Sequence, residues 1–164
     1  MINGFFGGKF MPLHKGHLYC IDVAAAQCDR VVVIMFINGD EELEILKTHH
    51  EPELKVENRI EQLKRVCELY ENVEFHIIDD TYCRTPEGVN DWNMETPLVR
   101  QYLPHMEYVY SSEPSYDAYF KQAYPEAKHI IVDEKRITYP ISATMIRAMK
   151  TLEEKKLWMV LKRL

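Results

Sequence analysis

Residues 8–17 read Gly-Lys-Phe-Met-Pro-Leu-His-Lys-Gly-His, and they join a predicted strand, Ile2–Phe10, to a predicted helix, Leu18–Cys28. The strand is rich in Ile and Phe, and the apolar residues of the helix recur at the spacing of one helix face. At such a junction the free N–H groups of the first helical turn point outward and favour an anion. Two imidazoles and a lysine beside them suit a polyphosphate, and Gly16 lets the backbone approach closely because it has no Cβ. A solvated loop with a partial helix cap explains the same residues equally well.

A second motif lies near the other end of the chain, at Ile141–Arg147 (Ile-Ser-Ala-Thr-Met-Ile-Arg). Ser142 is a natural N-cap, Thr144 falls in the first turn and Arg147 lies one turn further along. Hydroxyls, free N–H groups and a guanidinium at a helix N-terminus suit a phosphate group. An N-capped surface helix with an incidental arginine is the alternative interpretation.

Strands and helices alternate along the chain. Arg30–Ile37 is a continuous apolar run, which is typical of a strand buried on both faces of a parallel sheet. The alternation predicts an α/β fold, a Rossmann-like parallel five-stranded sheet with helices on both faces, built as a single domain over residues 1–164. Residues 38–53 are interpreted mostly as loop with room for a short helix, and Pro97 is placed near the start of its helix, where proline is tolerated. The other predicted strands are 73–78, 107–111 and 129–133, and the other predicted helices are 54–70, 95–103, 116–124, 142–149 and 152–164.

The predicted topology also indicates where a ligand would bind. In open parallel sheets, ligands bind beyond the carboxyl ends of the strands. Four groups of candidate residues follow the first, third, fourth and fifth predicted strands. We therefore expect these groups to converge at one edge of the sheet.

Composition narrows the classes of partner. Hydrophobic residues make up 46% of the chain and charged residues 28%, which is ordinary for a globular protein, and the net charge of −6 argues against a general nucleic-acid binder. No apolar run approaches the roughly 18 residues that span a bilayer, and the N-terminus lacks a signal-peptide pattern. Four cysteines without C-x-x-C spacing indicate reduced thiols in a cytoplasmic protein. We expect no nucleic-acid partner, no membrane partner and no metal-ligand cluster, and both a monomer and a homo-oligomer stay open.

The two motifs together resemble those of the nucleotidyltransferase superfamily of adenylyl- and cytidylyltransferases. Within it, the chain is most similar to the nicotinamide mononucleotide adenylyltransferase domain of NadR-type proteins. The resemblance implies transfer of AMP from ATP to nicotinamide mononucleotide, giving NAD and pyrophosphate. Alternatives are a related adenylyl- or cytidylyltransferase acting on another phosphorylated small molecule, and a non-catalytic nucleotide sensor. The likeness covers nearly the whole chain and is carried by 8–17, Gly88–Trp92, Tyr110–Glu113, Val132–Arg136 and Ile141–Arg147.

The resemblance implies a site that positions ATP and needs no covalent enzyme intermediate. His14 and His17 would donate hydrogen bonds to the ATP phosphates, and Lys9 would neutralise charge between the two nucleotides. Arg147 would hold the phosphates that leave as pyrophosphate, and Mg²⁺ would enter with ATP and bridge phosphate oxygens. The implied catalytic residues are His14, His17, Lys9 and Arg147, and the implied ATP-binding residues are Gly8, Phe10, Ser142, Thr144, Ser112 and Arg136.

The resemblance also implies residues that recognise nicotinamide mononucleotide. Trp92 would stack on the positively charged nicotinamide ring, or it simply anchors its loop to the core. Asn90 and Asn93 would hydrogen-bond the carboxamide group. Arg136 would contact a nucleotide phosphate, or it forms a surface salt bridge with an adjacent acidic residue.

Overall fold

In the computed structural model, which describes residues 1–160, five parallel strands form one sheet in the order β3-β2-β1-β4-β5. Each neighbouring pair of strands runs parallel, so the chain crosses over the sheet between every two strands. This arrangement confirms the predicted Rossmann-like α/β fold. The strands are β1 (Asn3–Gly8), β2 (Arg30–Ile37), β3 (Val73–Asp79), β4 (Tyr108–Ser111) and β5 (Lys128–Ile131).

Helices cover both faces of the sheet. Among the described residues the longest are α1 and α3, with 13 residues each, and no helix there is long and apolar enough to cross a bilayer. The helices are α1 (Lys15–Gln27), α2 (Gly39–Leu46), α3 (Val56–Glu68), α4 (Trp92–Tyr102), α5 (Asp117–Ala123), α6 (Ala143–Ala148) and α7 (Leu152–Lys156).

Two helices begin earlier than the sequence predicted, and a third, α2, lies where the sequence predicted mostly loop; each has a side-chain cap that explains it. His14 caps α1, which places His17 inside the helix. Asn38 caps α2, in a stretch that was interpreted mostly as loop. Asp91 caps α4, so Pro97 lies inside that helix and not near its start. Capping side chains satisfy free N–H groups of the first turn and thereby set where a helix begins.

The last helix is shorter than predicted. The sequence predicted a helix over 152–164, whereas α7 ends at Lys156. Beyond it the chain turns back, and Met159 forms an antiparallel bridge with His14. Bridge formation requires extended backbone, so the helix must end before it. Residues 161–164 of the predicted helix lie outside the described residues.

The core lies on both faces of the sheet, and β2 contributes to both. Val31, Val33 and Met35 pack on the face covered by α1 and α3. Val32 and Ile34 pack on the opposite face, against side chains of α4 and α5. All five side chains are inaccessible to solvent, as expected of a central parallel strand.

The sheet order identifies a ligand-binding edge. β1 lies at the centre and pairs with β2 on one side and β4 on the other. The strand order therefore reverses between β1 and β4, and ligands of such sheets bind beyond the carboxyl ends at this reversal. The loop from Lys9 to His14 leaves β1 at that point.

Arg59 ties this loop to the helices behind it. The side chain lies fully buried on α3, and its Nη1 donates to the Lys9 carbonyl at 2.7 Å while Nε donates to the Leu54 carbonyl at 2.9 Å. Its guanidinium also forms a buried ion pair with Glu42 of α2. Burial lowers the pKa of Arg59 to about 10, so the group stays charged at neutral pH.

We expect Arg59→Met to lower the free energy of unfolding by about 3 kcal/mol, because Glu42 then lies buried without its cation. Urea denaturation followed by circular dichroism measures the change. Arg65→Met is the matched control: Arg65 is exposed on the same helix and pairs with Glu61, and it should cost no more than about 0.5 kcal/mol. Equal losses for the two variants would contradict a structural role for the Arg59 ion pair.

Candidate active site

The two sequence motifs contact each other in the folded chain. Arg147, at the end of the second motif, donates from Nη1 to the carbonyl of Met11 at 2.6 Å. The backbone N–H of Lys15 donates to the carbonyl of Trp158 at 2.9 Å, and that of Val160 donates to Leu13 at 3.1 Å. The segment that follows the second motif thus lines the loop of the first, and both lie at the carboxyl end of β1.

His14 and His17 form a reciprocal cap at the start of α1. Nδ1 of His14 accepts the N–H of Gly16 at 3.0 Å, and Nδ1 of His17 accepts the N–H of His14 at 3.1 Å. The two rings stack with their centroids 3.6 Å apart. Because a nitrogen that accepts carries no hydrogen, the hydrogen of each neutral ring resides on Nε2. The cap therefore presents two Nε2–H donors.

Both rings are neutral at physiological pH. Burial lowers the pKa of His14 to about 4, and the nearby positive charge of Arg136 lowers it further. Burial holds the pKa of His17 well below its ordinary value, and His14 and Arg136 act in the same direction. Desolvation and a neighbouring cation both disfavour an imidazolium. The pair can donate hydrogen bonds to an anion without carrying positive charge itself.

Gly16 and Phe10 shape the histidine pair. A Cβ on Gly16 would lie 2.9 Å from Cε1 and 3.0 Å from Nδ1 of His14, so the glycine makes room for that ring. Phe10 has a φ of 53°, is 2% exposed and packs edge-on against His17 with centroids 4.7 Å apart. The Phe10 ring is buried against His17, so only the backbone of Phe10 is available to contact ATP.

Arg136 faces the histidines across the site. Its φ is 49°, and its Nη1 donates to the carbonyl of Ile141 at 2.6 Å. Its charge also acts on Glu113 and Tyr116, so it lies near the loop after β4 as well as near the histidine pair. The adjacent Asp133 instead accepts backbone N–H groups of the following loop, so the surface salt bridge considered from the sequence does not form with it.

The second motif is held by internal hydrogen bonds. Ser142 caps α6, with Oγ accepting the N–H of Met145 at 3.2 Å. Nη2 of Arg147 lies 3.4 Å from Oγ1 of Thr144, which is exposed. Burial lowers the pKa of the half-buried Arg147 guanidinium. The motif thus brings an exposed hydroxyl and a partly desolvated cation together beside the Met11 carbonyl.

Lys9 lies on the other side of β1, toward β2 and β3. Its ammonium pairs with Glu41 at the start of α2. Burial lowers the pKa of Lys9, and the acidic groups of Asp80 and Glu95 oppose that shift. Gly8, the last residue of β1, precedes it and is partly buried. Lys9 therefore stands between the histidine pair and an acidic region beyond β3.

Trp92, the first residue of α4, belongs to an aromatic group. Its ring packs edge-on against Tyr116 at 4.9 Å and Tyr119 at 5.0 Å, and its carbonyl accepts the hydroxyl of Tyr119 at 2.7 Å. Asn90 lies just before it, and its Oδ1 accepts Nδ2 of Asn38 at 3.4 Å. Asn93 is exposed. The structure thus joins Trp92 to the loop after β4 while leaving Asn93 at the surface.

The loop after β4 is held in place by a chain of side chains. Oγ of Ser111 lies 2.6 Å from Nε2 of His129, whose Nδ1 lies 3.1 Å from Asp117. Oγ of Ser111 also accepts the N–H of Glu113 at 3.2 Å. These contacts position Ser112, which lies between the bonded residues at the carboxyl end of β4.

Two residues that sequence reasoning missed organise the loop between β3 and α4. Asn38 is fully buried, and its Oδ1 accepts Nη2 of Arg84 at 3.2 Å. Arg84 also donates to the carbonyls of Thr81 at 3.0 Å and Gly88 at 2.9 Å. Asn38 directly follows the apolar run of β2, and a polar residue at the carboxyl end of a buried strand is a sequence signal that could have identified it. Nothing local to Arg84 indicated its role, since its partners lie in a loop.

Residues 1–160 contain no group of three His, Cys, Asp or Glu side chains that could hold a metal ion. The arrangement instead offers neutral N–H donors, two arginines and a lysine at one edge of a parallel sheet. Such a set can bind and orient several phosphates.

Comparison with known proteins agrees with this chemistry. Residues 5–149 match the model of the cytidylyltransferase-like family. The NadR protein of Escherichia coli, a trifunctional NAD biosynthesis and regulator protein, is 25% identical over 150 residues, which cover 88% of this chain and 36% of that protein. A phosphopantetheine adenylyltransferase of Clostridium botulinum is 33% identical over 78 residues, which cover 45% of this chain and 40% of that enzyme. These matches span well under half the length of either relative.

Solved structures share the fold. A NadR protein crystallised with NAD and AMP-PNP superposes with a TM-score of 0.68 at 23% identity, covering 96% of this chain and 44% of that one. A bifunctional NMN adenylyltransferase/ADP ribose pyrophosphatase from Francisella tularensis gives 0.59 at 17% identity, covering 89% and 41%. Because the family model matches most of its length, the chain belongs to the cytidylyltransferase-like family.

Proposed function

We propose that this chain transfers AMP from ATP to nicotinamide mononucleotide, giving NAD and pyrophosphate. The observation that carries the proposal is the pair of Nε2–H donors on His14 and His17, which stand beside the contact between the two motifs. A phosphate oxygen of the acceptor attacks the α-phosphorus of ATP, and the bond from that phosphorus to the oxygen bridging to the β-phosphate breaks. Pyrophosphate leaves with the electron pair of that bond, so the enzyme needs no covalent intermediate.

The chain's own groups would act by orienting ATP and stabilising charge. The neutral histidines would donate to phosphate oxygens, on which negative charge grows as the bond breaks. Arg147 with the hydroxyls of Ser142 and Thr144 would bind the leaving phosphates. Mg²⁺ would enter with ATP and supply further charge neutralisation at the phosphate oxygens. Arg136, Ser112 and the backbone of Gly8 and Phe10 complete the proposed ATP contacts, and Lys9 would bind between the two nucleotides.

The acceptor assignment is supported by Trp92 and by the relatives. An indole that is only partly buried and packs beside two tyrosines suits a pyridinium ring, since cation–π attraction is strongest on tryptophan. Asn90 and Asn93 flank the indole in sequence and would bind the carboxamide. Structures of the same fold are described as binding NAD with AMP-PNP, or NR, and as NMN adenylyltransferases.

Phosphopantetheine is the second candidate acceptor. The observation that favours it is the 33% identity to phosphopantetheine adenylyltransferase, which exceeds the identity to NadR over a shorter stretch. The phosphate chemistry at the histidine pair would be the same. The two hypotheses differ only in what binds beyond β3 and α4.

Pyrophosphate release measured over a panel of substrates tests the proposal. The panel combines ATP or CTP with nicotinamide mononucleotide, its acid form, phosphopantetheine or glycerol phosphate. We expect ATP with nicotinamide mononucleotide to give the highest kcat/KM. A higher kcat/KM with phosphopantetheine would identify phosphopantetheine as the acceptor. No pyrophosphate release with any pair would refute nucleotidyl transfer and favour a nucleotide sensor.

His17→Ala should lower kcat about 100-fold with a smaller effect on the KM for ATP, because it removes a donor that acts mainly as charge develops. Steady-state rates of pyrophosphate release measure the effect, with circular dichroism to check folding. His50→Ala, which removes an exposed imidazole outside both motifs, is the control and should keep wild-type rates. Full activity in a folded His17→Ala variant would contradict a catalytic role for the histidine pair.

Trp92→Ala should raise the KM for nicotinamide mononucleotide about tenfold, which corresponds to about 1.4 kcal/mol of lost stacking. The KM for ATP should stay unchanged, and Trp92→Phe should restore part of the loss because it keeps an aromatic face. Initial-rate kinetics with each substrate varied in turn separate the two effects. An unchanged KM for the mononucleotide would assign Trp92 to anchoring its loop.

A further inference from the structure

Two acidic side chains that sequence reasoning did not select lie buried together beyond β3. Asp80 directly follows β3 and is 4% exposed, and Glu95 lies in the first turn of α4 and is 8% exposed. The backbone N–H of Asp80 donates to the carbonyl of Ile37 at 2.9 Å, which fixes it at the carboxyl end of β2. Ionisable side chains are rarely buried to this extent without a function or a partner.

The two carboxyl groups share a hydrogen bond. Burial raises the pKa of Glu95 to about 9, and the hydrogen bond and charge of Asp80 act in the same direction. Glu95 therefore keeps its proton at neutral pH and donates it to the Asp80 carboxylate, as expected when two carboxyl groups occupy one buried site. The pair as a whole carries a single negative charge.

Asp80 retains the capacity to accept another hydrogen bond. Its Oδ1 is fully buried, and no N–H group of residues 1–160 donates to it. A carboxylate has about four lone-pair sites, of which the proton of Glu95 fills one. Lys9 lies close enough to feel both acidic groups, but its ammonium pairs with Glu41. An acceptor of this kind is satisfied by an N–H group of a ligand.

The pair lies next to the proposed base-binding residue. Glu95 is three residues after Trp92 on the same helix, a spacing that puts two side chains on one face. Tyr119, whose ring contacts Trp92, also lies near the Glu95 side chain. A ring stacked on Trp92 would therefore present its substituents to the Asp80–Glu95 pair.

We propose that the Asp80–Glu95 pair selects an acceptor whose ring bears a carboxamide over one that bears a carboxylate. This inference rests on the proposed function and adds to it the group that discriminates nicotinamide mononucleotide from nicotinate mononucleotide. The amide N–H₂ donates to Asp80, whereas a carboxylate at the same point has no donor and brings a second negative charge into a buried site. Rejection of the wrong ligand by an unpaired charge is an efficient route to specificity.

The test compares kcat/KM for the two mononucleotides with ATP, in the wild-type chain and in variants. The wild-type chain should prefer the amide at least about 100-fold, since a site that hydrogen-bonds a substrate strongly rejects the analogue without that group. Asp80→Asn, which removes the charge, should lower this ratio at least tenfold. Glu95→Gln, which imitates the protonated acid and keeps the charge on Asp80, should retain the preference.

Asp79→Asn is the control for a general loss of negative charge. Asp79 is the exposed neighbour of Asp80 and accepts hydrogen bonds within its own turn, which asparagine can also accept. It should leave the ratio unchanged. A ratio that is the same in folded Asp80→Asn as in the wild type, or that falls equally in Asp79→Asn, would overturn the inference.

A measurement on the wild-type chain alone covers the case in which Asp80→Asn does not fold. The mononucleotide of 3-acetylpyridine carries a methyl group in place of the amide nitrogen, so it is uncharged and lacks the N–H donor. Its kcat/KM should be at least tenfold below that of nicotinamide mononucleotide, and equal values would refute a hydrogen bond to Asp80. If the wild type uses the amide and the acid equally, this inference fails while the proposed function stands; if it uses neither, the proposed function itself fails.

Discussion

Three hydrogen bonds join the last part of the described chain to the loop after β1. The backbone N–H of Lys15 donates to the carbonyl of Trp158, that of Val160 donates to the carbonyl of Leu13, and the Arg147 guanidinium donates to the carbonyl of Met11. These bonds join segments that are more than 130 residues apart in sequence. The loop after β1 is held from behind as well, because Arg59 donates to the carbonyl of Lys9. A loop fixed at both ends can keep its donors oriented before a ligand arrives, which is the condition for electrostatic catalysis.

The histidine pair shows how a helix cap can also be a binding element. Each imidazole uses Nδ1 to satisfy a backbone N–H of the first turn, and this leaves Nε2–H as the only donor. Burial and the charge of Arg136 keep both rings neutral. Two neutral rings can stack at 3.6 Å without the repulsion that two imidazolium ions would suffer. The same bonds that start α1 therefore define the chemistry offered to a phosphate.

A division of the binding edge follows from the order of the strands. The histidines, Arg136 and Arg147 lie on the β1–β4 side, where positive charge and N–H donors suit phosphates. The acidic pair lies beyond β2 and β3, and Trp92, at the start of α4, packs against Tyr116 and Tyr119 after β4. Together they offer one negative charge and an aromatic ring, which suit a cationic base. Lys9 stands between the two regions and pairs with Glu41. A protein with net charge −6 can thus still present a positive region to an anion, because local groups and not the overall charge determine the field at the site.

The sequence by itself determined the fold class and located both motifs, because continuous apolar strands, helix periodicity and caps are encoded by residues close together in the chain. It predicted five parallel strands at nearly correct bounds, and it placed both histidines at the strand–helix junction. It did not determine the start of α4, the helix α2, or the roles of Asn38, Arg59, Arg84, Asp80 and Glu95. The two helix starts are set by the local caps Asp91 and Asn38, but the roles of these five side chains depend on distant partners, as in Asn38–Asn90 and Arg59–Lys9, which are 52 and 50 residues apart. Only the tertiary structure brings such partners together and excludes the water that would otherwise screen their charges.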